Sequence, residues 1–141
     1  MPIQSRPEIT MIQLIAPLVV ALIFITLCSL FKEPNRRNFS ALMIAGAGAA
    51  YLNGGLLGWE FAFCTVMTGV AYWGLKDYRW IGIGWLLHTA WDAVHHLYGN
   101  PIVPFVSLSS FGCAISDPIM ALWYFRGAPS VFTWFGRVQR N

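Results

Sequence analysis

Charge is the scarcest property of this sequence. Asp, Glu, Lys and Arg make up 11% of its 141 residues, against about 25% in an ordinary soluble domain, while 57% are apolar and 16% aromatic. So little ionic surface argues against a soluble globule and implies an outer surface that faces lipid. Long polar stretches are missing as well. At about 20 apolar residues per crossing of a roughly 30 Å hydrocarbon core, the chain accommodates five short-looped spans and leaves no room for a soluble catalytic domain.

Other absences narrow the chemistry. The net charge of +3 comes from Lys and Arg set in gaps between apolar runs, with no basic face, which excludes a nucleic-acid partner. Only three cysteines occur, Cys28, Cys64 and Cys113; they lie inside apolar runs, and their odd number leaves at least one unpaired, so buried free thiols are expected. No H-E-x-x-H string is present, which excludes a zincin mechanism. A retinal Schiff base is excluded because both lysines, Lys32 and Lys76, fall between apolar runs. Three histidines are too few for a membrane di-iron hydroxylase or desaturase, and a bis-His haem would need a second chain or a non-His partner.

What is present reads as an all-α, single-domain integral membrane bundle over residues 1–141. The expected transmembrane helices cover residues 11–31, 39–57, 59–75, 80–98 and 105–125, with an interfacial tail at 127–141 where Phe132, Trp134 and Phe135 alternate with Arg137 and Arg140. The first run lacks a basic region before it and is followed by Lys32, Arg36 and Arg37, the order of a retained helix and not of a signal peptide. In the second, Ala41, Ala45 and Ala49 share a face beside Gly46 and Ala50, so it is expected to be the central packing helix. Asn53-Gly54-Gly55 and Gly99-Asn100-Pro101 are turn compositions. With alternating spans, Lys32, Arg36, Arg37, Lys76, Arg79, Arg126, Arg137 and Arg140 fall on one side and Arg6 alone on the other. That asymmetry predicts a multi-pass cell-membrane protein with its N-terminus outside and its C-terminus cytoplasmic.

All three histidines lie on the fourth run. At 100° per residue His88, Asp92, His95 and His96 occupy one arc of about 100°, with Leu86, Ala90, Ala93, Val94 and Leu97 on the other side. Ionisable groups cost from about 2.5 kcal/mol each at mid-membrane, so this stripe should face the bundle interior. Asp117 on the fifth run lies at similar depth to His88 and precedes Pro118, which frees the Ala114 carbonyl and disfavours helical geometry at Asp117. A His88–Asp117 contact is expected, and Glu60 is placed to meet His95 or His96. Imidazole and carboxylate suit zinc or iron, which makes His88, Asp92, His95 and His96 candidate metal ligands, with Asp117, His88 and Glu60 as candidate catalytic groups. The plainer reading stands beside it: a buried histidine satisfied by its neighbours, with His95 and His96 in the outer interface, and Trp85 and Trp91 as packing residues.

The strings Leu57-Gly58-Trp59-Glu60, Ile81-Gly82-Ile83-Gly84-Trp85-Leu86-Leu87-His88-Thr89, Trp91-Asp92, His95-His96-Leu97-Tyr98-Gly99-Asn100-Pro101 and Cys113-Ala114-Ile115-Ser116-Asp117-Pro118 carry a resemblance. Over about Leu56 to Phe125, half the chain, the sequence resembles a family of small bacterial integral membrane proteins catalogued as a domain of unknown function. The resemblance implies shared architecture and supplies no catalytic residue.

Three functions remain open on the sequence. The favoured one is a metal-dependent membrane enzyme acting on a lipid or isoprenoid-like substrate. Another is a non-enzymatic subunit or stabilising partner of a homo-oligomer or larger membrane complex, in which the polar face makes interhelical hydrogen bonds. The third is a metal-free site in which His88 and Asp117 act as acid and base in an isomerase or relay protons.

Overall fold

The computed structural model describes residues 8–52 and 54–133. Among them the regular structure is five α-helices: α1 (Met11–Leu30), α2 (Asn35–Ala49), α3 (Gly58–Gly74), α4 (Tyr78–Tyr98) and α5 (Ser109–Phe125). No strand occurs among the described residues. One helix, α1, is long and apolar enough by length and composition to cross a membrane.

Helix ends follow local chemistry. At the start of α1 the Gln13 side chain reaches back to accept the Thr10 N–H at 2.6 Å, and Asp77 caps α4 by accepting the Arg79 N–H at 2.9 Å, each satisfying a backbone donor near a helix start. Two helices differ from the sequence expectation. α2 begins at Asn35 and ends at Ala49, eight residues short of 57, because the chain turns at Tyr51–Gly54 and then runs through Gly55 at φ +90° and Leu57 at φ +57°. α5 begins at Ser109 rather than 105. Pro101 and Pro104 hold the preceding segment open, and its free donors are met by serines: the Val103 N–H reaches Ser109 Oγ and the Ile102 N–H reaches Ser110 Oγ, both at 3.0 Å.

The helices alternate in direction. At one end Arg36 donates to the Phe31 and Ala128 carbonyls, Arg37 to the Leu75 carbonyl, and Tyr78 to Glu33, which ties the α1–α2 turn, the α3–α4 turn and the exit of α5 together. Residues 128–131 fold back on the end of α1 through Ser29. Trp134, Phe135, Arg137 and Arg140 of the expected tail, and Arg6, lie outside the described residues. At the other end the Asn100 N–H bonds the Gly54 carbonyl at 2.8 Å, joining the α2–α3 and α4–α5 connections.

α4 is the most extensively packed helix, against α5, α3 and α2, while α2 likewise touches three helices, α3, α4 and α1, and α1 lies against α5 and α2. The face of α2 that packs is not the expected one. Of Ala41, Ala45 and Ala49 only Ala41 is buried; α2 turns Ala41, Ile44 and Gly48 inward instead. Gly48 lies directly against Met67 of α3, and a Cβ at Gly84 of α4 would meet Ile44 at 2.8 Å, so glycines set both close approaches. α4 itself is inverted relative to a surface helix of a water-soluble protein. Its buried face carries Ile81, Trp85, His88, Asp92 and His95, and its exposed face carries Leu86, Leu87, Ala90, Ala93 and Leu97.

Candidate functional site

His88 and Asp92 stand four residues apart on α4, so both side chains point the same way along one face. Asp117 enters from the facing side of α5. His88 Nδ1 lies 3.0 Å from Asp92 Oδ2 and 2.8 Å from Asp117 Oδ2. The three residues are sealed, with 1%, 0% and 2% of their surface exposed, and a ligand atom of each lies within 4.8 Å of the others.

The outer atoms of all three residues are occupied. His88 Nε2 faces the Ala47 carbonyl at 3.1 Å; a carbonyl only accepts, so Nε2 carries a hydrogen. Asp92 Oδ1 accepts from the Tyr51 hydroxyl at 2.5 Å, and Tyr51 lies 2.7 Å from Ser110 Oγ. Its one proton given to Asp92, Tyr51 receives that of Ser110. Asp117 Oδ1 lies 3.1 Å from Ser116 Oγ, whose one hydrogen is shared between this carboxylate and the Cys113 carbonyl at 3.2 Å. What remains unassigned is the centre, where the imidazole Nδ1 and two carboxylate oxygens converge. Ionised carboxylates only accept and a neutral His with hydrogen on Nε2 offers a lone pair at Nδ1, so the centre requires a cation, either a proton or a metal ion. The donor set of one imidazole nitrogen and two carboxylate oxygens fits zinc or iron.

His95 and His96, expected as further ligands, stand apart from this cluster. Residues seven apart on a helix are separated by about 10.5 Å along its axis, so His95 sits two turns from His88. It faces Glu60 of α3, with Nε2 3.7 Å from Oε1. That pairing agrees with the expected reach of Glu60, which also accepts the Leu56 N–H at 2.8 Å. Neither ring nitrogen of His95 has a hydrogen-bond partner among the described residues. Its ring packs edge-on against Tyr51, centroids 3.9 Å apart, and a Cβ at Gly54 would come within 2.6 Å of Nε2. His96 is half-buried and lies against Phe111. Trp91 stacks on Phe63 at 4.6 Å and Trp85 meets Phe24 edge-on at 5.5 Å, both as packing residues.

Sequence reasoning missed Tyr51, the Ala47 carbonyl and the roles of Ser110 and Ser116. The one available signal for Tyr51 was its hydroxyl at the end of a run of small residues, because a buried tyrosine hydroxyl usually finds a partner.

Two clefts approach the cluster. One of about 490 Å³ lies between α1 and α5 and reaches Ser116; the other, about 330 Å³, borders Tyr51, Gly54 and Asn100. The lining of each includes a residue that is hydrogen-bonded to an aspartate of the cluster, Ser116 in the first and Tyr51 in the second.

A model described as a family of unknown function (DUF6010) matches residues 12–130. The chain belongs to the DUF6010 family. The match covers the five helices described above except Met11, and each residue of the His88–Asp92–Asp117 cluster. No curated protein and no solved structure matches the chain.

Proposed function

We propose that this is a five-span membrane enzyme in which His88, Asp92 and Asp117 hold one divalent metal ion, zinc or iron, and which acts on a lipid or isoprenoid-like substrate. The observation that carries the metal reading is the division of hydrogen-bonding work at the cluster. The outer atoms of His88 and Asp92 are held by Ala47 and Tyr51 and that of Asp117 shares the Ser116 hydroxyl with the Cys113 carbonyl, as outer partners hold metal ligands, and the three inner atoms are left to one cation.

The inverted face of α4 supports the membrane reading: charged and imidazole groups go inward and leucines outward, the arrangement lipid imposes. The basic turns gathered at one end support an N-out, C-in orientation. A 490 Å³ cleft is within the size range of small-molecule sites, and Ser116 in its lining is one hydrogen bond from Asp117.

A specific observation favours a second reading, a metal-free acid/base site. Separations of 2.8 and 3.0 Å are hydrogen-bond distances, shorter than the roughly 3.3 Å between two ligands of a tetrahedral zinc at about 2.05 Å each. Elemental analysis of detergent-purified protein separates the two. The metal reading expects one zinc or iron per chain, lost in His88→Ala. A folded wild type without metal supports the proton-sharing site instead, and a fixed co-purifying partner in addition supports the subunit role.

A further inference from the structure

The cleft between α1 and α5 differs from the rest of the apolar exterior in three ways. Its wall includes Pro17, which has no N–H to give to the carbonyl of Gln13 one turn earlier, and Gln13 lines the same cleft. The wall therefore has a backbone acceptor released from the helix ladder near the start of α1, beside Ser107 ahead of α5. Among the described residues no Asp, Glu, Lys, Arg or His lines it. From there the lining runs past Ala16, Val20 and Gly112 to Ser116, seven residues along α5 from Ser109, or about 10 Å. The lining thus joins uncharged hydrogen-bonding groups near the starts of α1 and α5, among Phe105 and Val106, to an apolar stretch that reaches Ser116, which is hydrogen-bonded to Asp117.

We propose that this cleft binds a neutral long-chain alcohol, with its hydroxyl at Gln13 and Ser107 and its chain descending to Ser116. This rests on the reading of the protein as a membrane enzyme for lipid-like substrates and narrows it in two respects. A phosphorylated or carboxylated headgroup would meet no countercharge among the described lining residues, an unfavourable transfer, so the proposed ligand is uncharged. Because the apolar stretch reaches Ser116, the group brought nearest to His88, Asp92 and Asp117 is a carbon of the chain roughly 10 Å from the head, not the headgroup.

The test uses a long-chain alcohol carrying a diazirine at mid-chain, photolysed with the full chain in phosphatidylcholine vesicles and mapped by mass spectrometry. Crosslinks are expected on Ala16–Val20 and Gly112–Ser116. Unlabelled alcohol should suppress them at least tenfold more effectively than its phosphate ester. A Cβ at Gly112 would meet only Pro17, at the ordinary contact distance of 3.5 Å, so the first carbon of Gly112→Leu is accommodated, the rest of the side chain occupies the cleft, and crosslinking should fall at least fivefold. Ala16→Phe, on the opposite wall, should do the same. Metal content, measured on the same samples, reports the proposed metal site independently: it should be unchanged in Gly112→Leu, and its absence from the wild type would overturn that reading without touching this one. Crosslinks spread evenly over the exposed faces of α3 and α4, equal competition by the phosphate ester, or full crosslinking in both filled variants would overturn the proposal.

Discussion

His88 Nδ1 and Asp117 Oδ2 lie 2.8 Å apart although 29 positions separate them in the chain, and both residues are buried. The contact joins α4 to α5 at the most polar point of an apolar molecule. Asp92 shares the same nitrogen, so removing His88 leaves two buried carboxylates facing each other, and removing Asp117 leaves His88 to Asp92 alone.

The first prediction concerns that coupling. His88→Leu or Asp117→Leu alone should destabilise the protein by about 1–3 kcal/mol, and more where the survivor stays charged. The double variant should recover part of the loss. Melting temperatures in one fixed detergent give the cycle; losses that add within error would mean that the two residues are not coupled.

Tyr51 is expected to matter through Asp92. Tyr51→Phe keeps the ring against His95 but deprives Asp92 Oδ1 of its donor and leaves the Ser110 hydroxyl to find another acceptor. The cost should be about 1–3 kcal/mol, with metal affinity about 10–100-fold weaker. Competition with a chelator measures the affinity, and an unchanged value would remove Tyr51 from the metal site.

Gly54 should tolerate no side chain. Its backbone conformation is ordinary, but a Cβ would stand 2.6 Å from His95 Nε2 and 2.9 Å from Glu60 Oε1. Gly54→Ala should therefore lower stability by about 1–3 kcal/mol through overpacking. Gly46→Ala, with nothing within 4 Å of the added carbon, is the control and should be neutral or slightly stabilising. Equal melting temperatures for the two would contradict the packing at the His95–Glu60 pair.

These residues also mark how far the sequence could be read. The stripe of His88, Asp92 and His95 was legible because helical periodicity and the cost of ionisable groups in an apolar chain act locally. The His88–Asp117 contact followed from matching depths on neighbouring helices. The division of roles was not legible: an i, i+4, i+7 pattern suggests that His95 joins His88 and Asp92, yet the helical rise sends His95 to Glu60, and Asp117, expected beside His88 as a catalytic group, completes the cluster instead. Tyr51 was hidden for a different reason. It follows α2 in an irregular turn, and only the packing of that turn onto α4 and α5 brings its hydroxyl to Asp92 and Ser110.

The membrane reading makes its own prediction. A reporter fused after Asn141 should be active on the cytoplasmic side and one placed before Pro2 on the external side, because the basic residues of both turns and of the α5 exit share one end. Both termini on one side of the membrane would contradict five crossings.

The most direct test of the central claim is X-ray absorption at the metal edge of protein purified without added chelator. Binding by His88, Asp92 and Asp117 predicts one zinc or iron per chain with one imidazole nitrogen and carboxylate oxygens at about 2.0–2.2 Å, no sulfur ligand, and loss of the signal in Asp117→Leu. A sulfur shell, a signal unchanged in Asp117→Leu, or a folded protein without metal would contradict it.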